Sequence, residues 1–307
     1  MNRLLAIVTL AASSLTLVLG GCASTQTRTE ALPAEVRTAV TIFDKQGNQT
    51  DWDAMLSAAL DADVVVIGES HGHPLGLEAA ATLFDDILDS GADAALLLEF
   101  IERDDQLALD DYLAGVTDEA GFRKAARRTD GNYPPGHARM VEAAKAAGRP
   151  VYAANAPRRY VRMTTREGYE KLWALNPRQQ ALFTVPEPLI EGEYKDNFYG
   201  LMGGMSHGTP ETENGIPPEM IDKMYRSQQM WDATMADSVA SAVRAGNRPA
   251  VLVVGRFHSD NTGGTVQLIN RYAPGLKIVT LSMVTTDDPE IGDDEIGQAD
   301  FVLHVGQ

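Results

Sequence analysis

Six short runs of apolar, largely β-branched residues constrain the fold most: Val64 to Ile67, Ala94 to Leu98, Val151 to Ala154, Val251 to Val254, Ile278 to Leu281 and Phe301 to Val305. Most are nearly continuous rather than alternating, which suits strands covered on both faces. Helical patterns lie between them. Leu77, Ala80, Ala81, Phe84 and Leu88 recur at three- and four-residue steps within Leu75 to Leu88; His137 to Ala147 stops before Gly148; Pro218 to Arg244 runs long and stops before Gly246. Strands alternating with helices predict an α/β fold with a central, mostly parallel sheet flanked by helices. One interval breaks the alternation. Residues of about 157–246 show no strand pattern, and 184–218 are rich in Gly, Pro, Glu and Met. That length exceeds a simple crossover, so a helical insertion or cap over the carboxyl ends of the strands is expected. Six of the 11 methionines fall between Met202 and Met235; they suit an adaptable pocket or dimer face, or else a loosely packed helical core.

The front of the chain reads as an address. Residues 1–21 carry Arg3, an apolar run from Leu4 to Leu19 and two glycines, the layout of a secretory signal too short to span a membrane comfortably. Cys22, the sole cysteine, follows directly and resembles the lipidated cysteine of a bacterial lipoprotein signal. Ala23 after it resembles lipoproteins sent to the outer membrane, which implies a lipid anchor there on the periplasmic face. Residues 22–35 read as a flexible tether and 36–307 as the folded body. One cysteine permits no internal disulfide framework and no cysteine-based zinc or iron–sulfur site. The charge, 26 Lys and Arg against 43 Asp and Glu for a net −17, argues against nucleic acid as a partner, because phosphates demand surplus cations.

Ligands of open parallel sheets bind beyond the carboxyl ends of the strands. Past Ile67 comes Gly68-Glu69-Ser70-His71-Gly72-His73, past Leu98 comes Glu99, past Ala154 comes Asn155, and past Val254 comes Gly255-Arg256-Phe257-His258. Composition predicts about 0.5 chance occurrences of Gly-x-x-His. Three are present, ending at His71, His207 and His258, and two directly follow strand runs. Glu69, His71, Glu99 and His258 are therefore candidates for a mixed nitrogen and oxygen metal site or an acid–base set. The competing reading makes the histidines loop or cap residues, and Asn155 a turn former.

These motifs, with Val65-Val66-Ile67-Gly68-Glu69-Ser70-His71, Leu97-Leu98-Glu99, Asn155-Ala156-Pro157 and Gly255-Arg256-Phe257-His258, resemble the ChaN-like family of haem-binding lipoproteins over about residues 40–285. That family is itself similar to the Tiki and erythromycin-esterase superfamily, whose Gly-x-x-His pairs and acidic residues form metal or catalytic sites. The resemblance implies an anchored protein of iron and haem uptake, with haem held at a dimer interface and an outer-membrane haem receptor as partner. Family members often continue the first motif with Asp-Asn and paired histidines; here it runs Ser70-His71-Gly72-His73-Pro74, so His73 keeps one imidazole of the pair. His71, His73, Asn155 and His258 are candidates for a metal or haem-propionate site. Tyr194, Tyr199, Tyr225 and His207 are candidate axial ligands by chemistry, since phenolate and imidazole both bind ferric haem. Without a Cys-x-x-Cys-His motif, covalent attachment is excluded.

Two functions of different class follow. The first is non-enzymatic haem binding. The second is a hydrolase, with a divalent metal ion or acid–base chemistry, in which Glu69 or Glu99 activates water while His71 and His258 hold the metal or stabilise an oxyanion. Both could share one pocket, and Glu69, His71, His73, Glu99 and His258 are expected to converge in it, walled by the insertion. A His past a strand end is further expected to add little to stability.

Overall fold

In a computed structural model the described residues are 33–204 and 216–307. The signal segment, Cys22, most of the tether and His207 lie outside them. Each of the six apolar runs is a strand: β3 (Val64–Glu69), β4 (Ala95–Glu102), β5 (Val151–Asn155), β6 (Ala250–Gly255), β7 (Ile278–Val284) and β8 (Phe301–His304). Two short strands, β1 (Thr41–Asp44) and β2 (Gln49–Thr50), complete an eight-stranded sheet of order β2-β1-β8-β7-β3-β6-β4-β5. They carry only two buried apolar residues, Ile42 and Phe43, too few for a readable strand period. Both pairings of β1 are antiparallel; those from β8 across to β5 are parallel.

Central strands β3 and β6 are buried at every position, as continuous apolar runs require. Val64, Val66, Ala95, Leu97, Leu252 and Val254 share one face, against α10 (Pro218–Arg244) and α11 (Gly264–Tyr272). Their strand neighbours Val65, Ile67, Leu96 and Val251 point to the other face, where α3 (Pro74–Asp89) packs on α6 (Pro135–Ala146).

Among the described residues, four α-helices lie between β5 and β6: α7 (Arg158–Glu167), the short α8 (Pro177–Gln180), α9 (Glu193–Gly204) and α10. No strand occurs there among the described residues, in keeping with a helical insertion. Its parts divide, however. The C-terminal half of α10 is the crossover helix that lies on the sheet, through Val239, Ala242 and Val243, whereas α7, α9 and the start of α10 contribute to cavities at the strand ends.

Candidate functional site

Sheet register brings the first acidic group into place. Glu69, the last residue of β3, pairs with Gly255, the last of β6, and Leu98 of β4 pairs with Val253 of the same strand. Glu69 and Glu99 therefore flank one strand end. The Glu69 carboxylate is buried and accepts from His71 Nδ1 at 2.9 Å and from His137 Nε2 at 2.7 Å. His137 comes from α6 and is fully buried. Phe100 packs against both imidazoles, with ring centroids at 5.0 Å from His71 and 5.1 Å from His137. Burial pushes the Glu69 carboxyl up, but the charges and hydrogen bonds of the two histidines outweigh it and hold its pKa at about 2. The hydrogen bond to Glu69, aided by the charge of Glu99, raises His71 above its ordinary value.

Two glycines of the Gly-x-x-His motifs serve close approach. A Cβ at Gly255 would lie 2.6 Å from His71 Cε1 and Nε2, and one at Gly68 would lie 2.5 Å from Ser259 Oγ. Neither has a positive φ, so a left-handed turn off the sheet is not what these positions need glycine for. They let the His71 ring and the turn after β6 lie against the strand ends.

A second carboxylate–imidazole pair stands beside the first. His258 Nδ1 donates to Asp232 Oδ1 at 2.6 Å, and Asp232, buried in α10, also accepts from Thr265 Oγ1 at 2.8 Å and Tyr194 Oη at 2.7 Å. His258 Nε2 lies 3.7 Å from Glu99 Oε1, while Glu99 Oε2 accepts from the Gly255 amide at 2.6 Å. Burial opposes charge on His258, yet Asp232 and Glu99 together raise its pKa. Thus Glu69, His71, Glu99 and His258 converge as expected, joined by His137 and Asp232. No strand end marks those two.

Several expectations need correction. His73 is the N-cap of α3: its Nδ1 accepts from Gly76 N at 3.2 Å, its buried Nε2 has no partner among the described residues, and it lines none of the cavities described below. A local side chain to backbone bond claims it, so it stands apart from the other histidines. Asn155 is buried at the mouth, with its Oδ1 accepting from the next amide at 2.8 Å, the turn role it was weighed against. Tyr194 and Tyr225 are packed in the core, donating to Asp232 and to the Ile190 carbonyl, and their phenols are spent on those bonds. Tyr199, half-buried, donates to Asp222, and burial with that hydrogen bond pushes its phenol up to about 12. Glu69 is a poor water-activating base, since both oxygens are engaged and its conjugate acid is strong. His258 is largely buried and bonded to a buried carboxylate, so removing it would leave Asp232 buried without its imidazole, and a cost in stability is expected where little was. Among the described residues no group of three or more His, Cys, Asp or Glu is arranged to hold a metal ion.

Among the described residues, three cavities meet over this site. The largest, about 710 Å³, is lined by His71, Glu99, Phe100 and Asn155, and by five arginines: Arg127, Arg128, Arg158, Arg159 and Arg162. A neighbour of about 460 Å³ is apolar, walled by Phe198, Met202, Met220, Met224 and Trp231, and shares Arg158, Arg162 and Trp231 with the first. The third, about 290 Å³, reaches Glu69, His71 and His258 beneath Phe198 and Met202. The methionine cluster therefore lines a pocket in part: Met230 and Met235 are core, and Met202, Met220 and Met224 are wall. The arginines went unread because no strand ends on them, although Arg158-Arg159 directly follows Asn155-Ala156-Pro157 in an acidic chain.

The family model described as haem-binding uptake, Tiki superfamily, ChaN matches residues 55–269. The chain belongs to the ChaN family. Its fold agrees with that of ChaN of Campylobacter jejuni, solved with cofacial haem binding, at a TM-score of 0.66 and 18% identity, covering 86% of this chain and 96% of that one. More distant are a Bacillus cereus protein (TM-score 0.49, 11% identity, 89% of this chain and 96% of that one) and a mutant of erythromycin esterase EreC in its open conformation (TM-score 0.45, 12% identity, 86% and 82%). No curated protein gives a significant match to the sequence.

The amphipathic lining of this ChaN-family site fits haem. A flat porphyrin needs an apolar wall, supplied by Met220, Met224, Phe198 and Trp231, and its carboxylates need cations, supplied by the adjoining arginines. His71 offers a ring nitrogen, Nε2, that makes no hydrogen bond with any described residue, while Glu69 fixes the ring through Nδ1.

Proposed function

We propose that this ChaN-family protein binds haem for uptake at the carboxyl edge of its sheet, lipid-anchored through Cys22 at the periplasmic face of the outer membrane. The observation that carries the haem reading is the apolar methionine and tryptophan wall adjoining an arginine-lined cavity, in a chain of net charge −17. Haem, when bound, supplies the iron. The chain supplies the wall, cations for the propionates, and His71 Nε2 as the group we expect to approach the metal; the carboxylate of Glu69 behind that ring orients it and strengthens its basicity. Like-charged protomers repel, so a dimer holding haems between subunits should form only with ligand present. An outer-membrane haem receptor would be its partner in uptake.

The test is a haemin titration of the purified protein followed in the Soret band, with sedimentation in parallel. Saturation at fixed stoichiometry, a His71→Ala variant with an altered Soret position, and a haem-dependent gain in mass are expected. Nonsaturating adsorption would refute haem binding.

A second reading, acid–base hydrolysis, rests on the Asp232–His258 pair, in which Asp232 fixes the ring and directs Nε2 towards Glu99. In it His258, rather than Glu69, moves the proton. Screening ester substrates with wild type and His258→Asn tests it, and hydrolysis unchanged by His258→Asn would remove it.

A further inference from the structure

Arg158 and Arg162 lie one turn apart on α7, are both exposed, and make no hydrogen bond or ion pair with any described residue. The other three arginines of the large cavity are engaged. Arg128 donates to the Phe100 carbonyl and to Asp105, Arg127 lies 3.5 Å from Asp105, and Arg159 pairs with Asp104. Two like charges four residues apart destabilise a helix, and cations are disfavoured in its first turn, where α7 carries no acidic residue. This arrangement occurs in a chain that has 43 acidic residues to pair with 26 basic ones. The free pair also stands at one particular place: Arg158, Arg162 and Trp231 are common to the arginine cavity and the methionine wall.

We infer that Arg158 and Arg162 receive the two carboxylates at the polar edge of a flat apolar ligand whose body lies along Trp231, Met220 and Met224. For the haem of the proposed function, on which this inference rests, the carboxylates are the propionates. A guanidinium fork matches a carboxylate in two parallel hydrogen bonds, and two forks on successive turns match a ligand edge bearing two such groups. The assignment moves the propionates away from His71, His73, Asn155 and His258. It leaves the strand-end imidazoles to the iron side and the proton chemistry, and it makes the ligand's orientation a property of α7.

The experiment titrates the full chain, its Arg158→Ala/Arg162→Ala variant and an Arg178→Ala control with haemin and with haemin dimethyl ester, in one detergent-containing buffer. Arg178 is exposed on α8 and lines none of the three cavities. The double substitution should weaken haemin binding roughly tenfold and leave the diester unchanged, because only the free acid has charges to lose. The control should change neither. Equal weakening of both ligands, no weakening of either, or a matching fall in the control would overturn the inference while the haem reading stands. Failure of the unaltered chain to bind haemin at all would overturn the haem reading, and this inference with it.

Discussion

Replacing Glu69 by Gln removes the one charge shared by two imidazoles. In the folded protein the Glu69 carboxyl has a pKa of about 2, against an ordinary value of 4.5. At about 1.4 kcal/mol per unit of pKa, that difference corresponds to about 3 kcal/mol of stability. Because the folded pKa is depressed, the contribution is present in full above 4.5 and is lost as the pH falls through the window down to about 2. His71 behaves in the opposite sense: its pKa is raised, so its share is present below 6.5 and lost as the pH rises through the folded value. Near pH 6 both groups are charged and the pair is at full strength. Urea unfolding there should show Glu69→Gln less stable by about 3 kcal/mol, and near pH 3 the gap should have shrunk by about 2 kcal/mol, since the wild-type carboxylate is then giving up its advantage. Other acidic groups titrate identically in both proteins, so the difference isolates Glu69. A gap that stays constant between these pH values would refute the reasoning, and so would a variant as stable as wild type near pH 6.

His258→Ala leaves Asp232 buried with its imidazole partner gone, and the thermal melt should fall by roughly 6 °C or more, from a loss of about 3 kcal/mol; an unchanged melt would mean the pair adds nothing to the fold. Gly255→Ala places a methyl where the His71 ring now lies, 2.6 Å from Cε1 and Nε2, and should cost about 1–3 kcal/mol. The displaced ring should also lose its bond to Glu69, so NMR should find the raised His71 pKa returning towards 6.5; an unaltered titration would show that the ring does not depend on that glycine.

The sheet was legible because burial on two faces writes itself into a short run of β-branched residues, and all six such runs became strands. The helical pattern at Leu75 to Leu88 is α3 within a residue at either end, and Pro218–Arg244 is α10. Periodicity is a local signal, and the parallel topology turns it into a prediction of where ligands bind. Glu69, His71, Glu99 and His258 were for that reason visible as one candidate set before any coordinates. What stayed hidden is contact between residues that share no local pattern. His137 meets Glu69 across 68 positions, and Asp232, in mid-helix, meets His258 across 26. His73 looked like its neighbour His71 until the start of α3 took its Nδ1 as a cap, and Tyr194 and Tyr225 looked like ligands until core packing spent their hydroxyls. Sequence alone determined the strand-and-helix order and the edge of the sheet that carries the chemistry, because hydrophobic period and strand direction suffice for both. Tertiary structure alone decided which carboxylate holds which imidazole, which arginines remain unpaired, and which methionines line a wall. Those outcomes depend on distances between side chains brought together only when the sheet and its flanking helices pack.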